Sequence, residues 1–409
     1  MKNNRLFAIV FWALISVWPL AAAPRLKYVA IVSRHGVRSP TWESARLNAY
    51  SAEPWPIWDV PPGNLTRQGR TLIQLMGTYY HEWLAGEHLF PHAGCEDARR
   101  IYIEADKDQR TIETSRAFAE SLLPGCGIEV HSQPQGQSDP LFSGAGTPDP
   151  ARMLAALRER LGSDPQKLLA DHRAALDALE AILRGKAAAP AAIGVVLKGK
   201  QVELTGPFAT GSTFSENLLL EYADGMKDAA LGWGRLTREN LDRVLELHAV
   251  YADLMRRTPY LARARGSNLL AHVLRSLEQA ASGRATPGAL GQPGDLLLLL
   301  AGHDTNLSNL SGMLGLSWKL AGYQPDDTPP GGALIFSLWR DTDTGKDSVK
   351  LRYVAQSLDQ MRYAEPLSVA APPESQDVAL PGCEPAGCSW ETARRAIEKA
   401  IDPAFVAMD

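Results

Sequence analysis

The chain has 409 residues, 42 basic against 46 acidic side chains, nine histidines, four cysteines and 45% hydrophobic residues. It is too long for one comfortable core, so two lobes or a domain with a large insertion are expected, and a charged fraction of 22% excludes a disordered chain. A net charge of −4 without a basic cluster excludes a nucleic-acid partner held by phosphate neutralisation, and four scattered cysteines exclude a disulfide-dense mini-scaffold or a zinc ribbon.

The first signal in chain order is a leader. Lys2 and Arg5 precede an apolar stretch from Leu6 to Trp18, broken only by Ser16, and Pro19 is followed by the small residues Ala21, Ala22 and Ala23. The stretch is shorter than the ~20 residues a spanning helix needs, so residues 1–23 are expected to be a signal peptide cleaved after Ala23. Cleavage removes two basic residues and takes the mature protein to −6. It is expected in the periplasm or secreted, with no membrane contact. In an oxidising compartment Cys95, Cys126, Cys383 and Cys388 read as two disulfides; of the three pairings that sequence permits, the neighbours Cys95 with Cys126 and Cys383 with Cys388 are preferred.

Tyr28 to Ser33 reads as a buried strand that stops at Arg34-His35-Gly36-Val37-Arg38-Ser39-Pro40. Helices are expected over Leu65 to Leu84 and Thr111 to Leu123, with a strand at Ile101 to Ala105 between them. From Pro150 to about Ser282 the spacing is helical, notably at Ala151 to Leu161, Gln166 to Leu183 and Glu239 to Met255, with strand signals only near Ile193 to Leu204. Leu296 to Leu300 is a further strand, ending in Ala301-Gly302-His303-Asp304, and Ala333 to Trp339 with Val349 to Gln356 predicts an antiparallel hairpin. The pattern gives an α/β fold: a mixed, mainly parallel sheet flanked by helices over 24–149 and 286–409, with a mainly helical lobe inserted at 150–285. Three strands end in clusters of charged residues, and the crevice beyond the carboxyl ends of such strands is where ligands bind.

The residues in that crevice have a shared chemistry. Arg34 and Arg38 flank His35; guanidinium forks match phosphate oxygens, and a neutral imidazole is a competent nucleophile towards phosphorus. Arg110 adds a third cation and His303 another donor, while Asp304 supplies a carboxyl that can protonate a departing alkoxide. That role requires a protonated Asp304, which an incoming phosphate favours and nearby arginines oppose; an acidic pH optimum is expected. His81, His88 and His92 lie within twelve residues, but Pro91 and Gly94 suggest a loop and no acidic or thiol ligand spacing completes a zinc site, so no metal is assigned. His131, His172, His248 and His272 read as surface or helix residues. Trp42, Trp55 and Trp58 follow the His35 loop and are expected to line its entrance.

With these motifs the chain resembles the histidine acid phosphatases, the secreted branch of the histidine phosphatase superfamily. The resemblance extends over nearly the whole mature chain, through Leu65-Thr66-Arg67-Gln68-Gly69, Asp108-Gln109-Arg110-Thr111, Pro124-Gly125-Cys126, Asp327-Thr328-Pro329-Pro330-Gly331-Gly332 and Gln360-Met361-Arg362. It implies a phosphoglycerate-mutase-like fold and hydrolysis of phosphate monoesters through a phosphohistidine. His35 would be the nucleophile and Asp304 the proton donor, with Arg34, Arg38, Arg110 and His303 binding phosphate. No cofactor is implied, and the partner is a small phosphate ester. Thr41, Trp42, Thr213, Glu216 and Thr305 are candidate pocket residues. Leu307-Ser308-Asn309-Leu310 after His303-Asp304-Thr305-Asn306 is similar to the phytase branch, whereas Trp55-Pro56-x-Trp58-Asp59-Val60-Pro61 and Met76-Gly77-x-Tyr79 lean towards the glucose-1-phosphatase branch. Trp42 and Glu43 stand where the phytase pattern begins with Lys, and Thr213 where it carries Met. These departures point away from a highly charged ester and leave monoester hydrolysis intact. A phosphoryl-transfer mutase and a non-catalytic phosphate-ester binder are the competing functions.

Overall fold

The computed structural model describes residues 23–92, 94–184 and 192–407, so all but the last residue of the expected signal peptide lies outside them. The apolar run after that point forms β1 (Arg25–Arg34), the centre of an eight-stranded sheet. On one side of β1 lie β6 (Leu297–Gly302), β2 (Ile101–Ala105) and β3 (Val130–Ser132), all parallel to it. On the other side β7 (Ala333–Arg340) and β8 (Asp347–Ala355) form the expected hairpin, and β9 (Glu374–Val378) and β10 (Cys388–Ser389) both pair antiparallel with β8. The sheet is mixed and mainly parallel: β1, β2, β3, β6 and β8 point one way.

Both faces of β1 and β6 are covered, which is why they read as continuous apolar runs rather than as alternating ones. Val29, Ile31, Leu297 and Leu299 pack with Ile73, Met76 and Tyr80 of α2 (Arg67–Gly86) and Phe118 and Leu122 of α3 (Gln109–Leu122). Tyr28, Ala30, Val32, Leu298 and Leu300 face the other way, into the larger core shared with the helices that follow residue 150. One-residue alternation along each strand therefore serves two cores at once.

Two short helices, α1 (Ser44–Leu47) and α4 (Pro140–Ser143), lie in the connections. Beyond them the chain forms α5 (Pro150–Leu161), α6 (Pro165–Asp171), α7 (Arg173–Leu183), the two-stranded β4 (Gly194–Lys198) and β5 (Gln201–Thr205), α8 (Pro207–Ala223), α9 (Arg238–Arg256) and α10 (Pro259–Ser282). The single helix expected over Gln166 to Leu183 is two, because His172 leaves helical geometry at φ −108°, ψ 19°, and its ring bonds Glu246 of α9. Helix α10 reaches back to pack on β1 and on α11 (Asp304–Leu314), and α12 (Leu358–Tyr363) and α13 (Trp390–Ala400) complete the chain. Disulfides join Cys95 to Cys126 and Cys383 to Cys388, the neighbour pairs. No described helix is long and apolar enough to cross a membrane.

Candidate active site

The carboxyl ends of β1, β6 and β2 are in register, with Arg34 opposite Gly302 and Ala105 opposite Ala301. Backbone bonds tie the loops beyond them: His35 N–H to Gly302 C=O at 3.0 Å, Asp106 N–H to Ala301 C=O at 3.0 Å, and Gly331 N–H to His35 C=O at 2.9 Å. The loop after β1 is braced from below by α2. Thr66 caps that helix, accepting from Gly69 N–H at 2.9 Å, while its own N–H reaches Val37 C=O at 3.0 Å. Gly69 has to be glycine: a Cβ there would lie 2.1 Å from the Val37 carbonyl oxygen. On the α3 side, Thr114 Oγ1 accepts from Gly36 N–H at 2.9 Å.

His35 is buried, and its Nδ1 lies 2.8 Å from the Gly36 carbonyl oxygen. A carbonyl only accepts, so Nδ1 carries the proton and Nε2 is left with its lone pair. Burial first, then the charges of Arg110, Arg34, His303 and Arg38, hold the imidazole neutral well below the usual histidine range. The geometry thus presents an unprotonated nitrogen among three guanidiniums. Arg34 donates to the Thr328 carbonyl at 2.6 Å and to Glu216; Arg38 lies 3.1 Å from the other Glu216 oxygen and donates to the Ser39 carbonyl at 3.0 Å. Arg110 contacts Asp108 at 2.5 Å, the Gly63 carbonyl at 3.3 Å and His303 Nδ1 at 3.4 Å. The Nε atoms of all three arginines are buried without a hydrogen-bond partner among the described residues.

His303 donates from Nε2 to Asp106 Oδ2 at 2.5 Å, and its ring stands edge-on to that of His35 with centroids 5.4 Å apart. Asp106, Asp108 and His303 form the one grouping among the described residues with ligand atoms close enough for a cation, within 4.8 Å of one another. Arg110 already supplies positive charge to Asp108, so the set is satisfied within the protein. Asp304 opens α11. Its Oδ1 accepts from Thr305 N–H at 2.8 Å, and its Oδ2 accepts from Arg256 Nη1 at 2.6 Å with His248 Nε2 at 3.6 Å. Burial pushes the Asp304 carboxyl up, but Arg256, Arg34 and His248 outweigh it and hold the group well below the usual carboxylate range. Glu216 behaves alike: burial opposes ionisation, yet Arg38 and Arg34 bring it down to about 2.

All six residues expected to carry chemistry therefore surround one crevice: Arg34, His35, Arg38, Arg110, His303 and Asp304. Glu216 joins them from α8, and Thr213 and Thr305 are half-buried on α8 and α11, while Thr41 is exposed. One expectation is met only in part and another needs correction. His248, read as a surface or helix residue, is helical but buried at 3% exposure against Asp304, held by Ser212 Oγ at 3.0 Å. Trp55 is core rather than entrance, 3% exposed and packed on Phe214 and Trp233. Trp42 is half-buried against Tyr50 and Phe214, and the Arg46 guanidinium lies 3.4 Å above its ring. Sequence reasoning missed Arg256 and Asp106. The i,i+8 spacing of His248 and Arg256, which places both on one face of α9, is the signal that links them.

The sequence model of the histidine phosphatase superfamily (branch 2) matches residues 25–190 and 199–354. The chain is 36% identical to the phytase AppA of Escherichia coli K12 over 387 residues, covering 88% of this chain and 87% of that relative. It is 27% identical to a glucose-1-phosphatase of Providencia rettgeri over 404 residues, covering 92% of each. Among solved structures, the Hafnia alvei phytase in complex with tartrate superposes with a TM-score of 0.85 at 34% identity, covering 94% of this chain and 99% of that one.

Proposed function

The chain belongs to branch 2 of the histidine phosphatase superfamily, and we propose that it is an exported acid phosphatase, periplasmic or secreted, hydrolysing phytate or sugar phosphates through a phosphohistidine. It is a phosphoric monoester hydrolase. The observation that carries the mechanism is the bonding of His35: Nδ1–H held by the Gly36 carbonyl and Nε2 free among Arg34, Arg38 and Arg110.

In this reading the guanidiniums of Arg34, Arg38 and Arg110, with His303, take the non-bridging phosphoryl oxygens. The His35 Nε2 lone pair attacks phosphorus as the P–O ester bond breaks. Asp304 passes its proton to the leaving oxygen, releasing the alcohol. Water then attacks the phosphohistidine, Asp304 takes its proton, and the P–N electron pair returns to Nε2. No metal enters these steps. Asp304 is ionised in the free enzyme, so it gains its proton from acidic solution once the ester's charge has offset the arginines.

A second reading, a glucose-1-phosphatase type with little action on phytate, is favoured by Trp42. Its ring, covered by Arg46, stands directly after Thr41 and before the exposed Glu43, an acidic neighbour that repels a polyanion. Rates of purified protein on phytate, glucose 1-phosphate and p-nitrophenyl phosphate at acidic pH decide between them. His35→Ala is expected to lower turnover by a factor on the order of 10⁴ or more and to abolish trapping of labelled phosphate on the protein. Wild-type protein that binds esters without turning them over would leave only a phosphate-ester binder.

A further inference from the structure

Phosphate binding and nucleophilic attack leave Arg256 without a task. It is the last residue of α9, and its side chain is 13% exposed. Its guanidinium makes its ion pair with Asp304, at 2.6 Å, and otherwise lies 5.8 Å from the Tyr251 ring. Asp304 is consequently gripped at both oxygens, by the Thr305 N–H and by a full positive charge. A carboxyl that must give a proton to the leaving group is a poor donor while it is half of an ion pair, because the pair stabilises the ionised form alone.

Other charged groups reach the same carboxyl. Arg34 approaches from the end of β1, His248 from α9, Glu216 from α8 and Arg110 from α3; Asp327 faces Arg34 and His248 from the loop before β7, and Arg265 of α10 lies near Arg256. His303 is its chain neighbour. Arg34, Arg110 and Glu216 are engaged with each other or with neighbouring groups around His35, and His248 stands a full ångström farther from Asp304 than Arg256 does. Only Arg256 donates a side-chain hydrogen bond to the Asp304 carboxylate from outside its own turn, among the described residues.

We propose that Arg256 is a positioning residue for the proton donor: it fixes the Asp304 carboxyl and keeps it unprotonated until the ester's charge enters the crevice. The inference rests on the phosphatase reading. Its consequence is specific to the ester. An alkyl leaving group needs the Asp304 proton, whereas p-nitrophenolate departs readily without one, so loosening the clamp alters the two differently.

The test is the pH profile of kcat/KM on glycerol 2-phosphate and on p-nitrophenyl phosphate for wild type, R256Q and R256K. This parameter reports free enzyme and the first chemical step, before hydrolysis of the phosphohistidine can mask it. Removing an adjacent cation raises a carboxyl's pKa, so R256Q is expected to move the basic limb on glycerol 2-phosphate up by at least about one pH unit. Above the limb, the ratio of R256Q to wild-type kcat/KM on glycerol 2-phosphate then rises about tenfold over its value below the limb, with a smaller change on p-nitrophenyl phosphate. R256K retains a cation and is expected to stay close to wild type, which also guards against a folding defect in R256Q. A limb that stays put, moves to lower pH or shifts equally on both esters overturns the proposal. Wild type that hydrolyses neither ester removes the phosphatase reading and this inference together; an active wild type with an unmoved limb removes only the inference.

Discussion

Glu216 is a carboxylate placed where an anion is to be bound. It joins Arg34 to Arg38, is held down to about 2, and so remains charged over any working pH. It orients two guanidinium forks and at the same time offsets part of the charge they offer to phosphate. Glu216→Gln keeps the shape and removes the repulsion, so the inhibition constant of inorganic phosphate is expected to fall about tenfold, read from product inhibition of aryl-ester hydrolysis. A constant that rises instead would show that fixing the forks matters more than the charge. The depressed group also bears on stability. Being lower folded than unfolded, it favours the native state fully above its ordinary value of 4.5, and that contribution is lost as pH falls through about 2.

Helix α2 does for the His35 loop what no side chain of that loop does for itself. Its capped end approaches so closely that Gly69 meets the Val37 carbonyl. Gly69→Ala must push the helix or the loop away, a strain of about 1–3 kcal/mol. Thermal unfolding is expected to show that loss, and kcat to fall by more than the small drop in folded fraction explains; a destabilised variant with full kcat would separate the brace from the chemistry. Elements differ in how plainly the sequence announces them. The strands before His35, Asp106 and His303 are legible because a short apolar run that stops at charged side chains is too brief for a buried helix and too apolar for a loop. The α9 contribution is not: His248 and Arg256 lie on an ordinary amphipathic pattern, and only tertiary packing against α11 turns that face towards Asp304. Trp55 is misplaced for a related reason, since nearness in sequence to the His35 loop says nothing about the Phe214 and Trp233 rings that bury it. The break at His172 depends on a partner 74 residues away.

Away from the crevice, three carboxyls lean the opposite way from Asp304 and Glu216. Burial pushes Glu221 up to about 8, with one compensating bond from the Gly232 N–H, and pushes Asp139 and Asp224 each to about 6. A proton held more tightly folded than unfolded favours the native state below the ordinary carboxyl values, and the advantage drains away as pH rises through the folded ones. The melting temperature is therefore expected to be highest near about pH 4.5–5 and to decline towards pH 8. Glu221→Gln should flatten that decline, and scans of both proteins across this range check it; a wild-type maximum near pH 8 would contradict the assignment. The strand order has a different kind of consequence. Both neighbours of β1, β6 and β7, arrive more than 260 residues after it begins. A chain made from its amino end thus holds the central strand of its sheet unpaired through most of synthesis, and long-range pairing of this kind is slow. His35 meets Asp304 only when that strand finally closes the sheet, so a nascent or truncated chain carries the nucleophile but no enzyme.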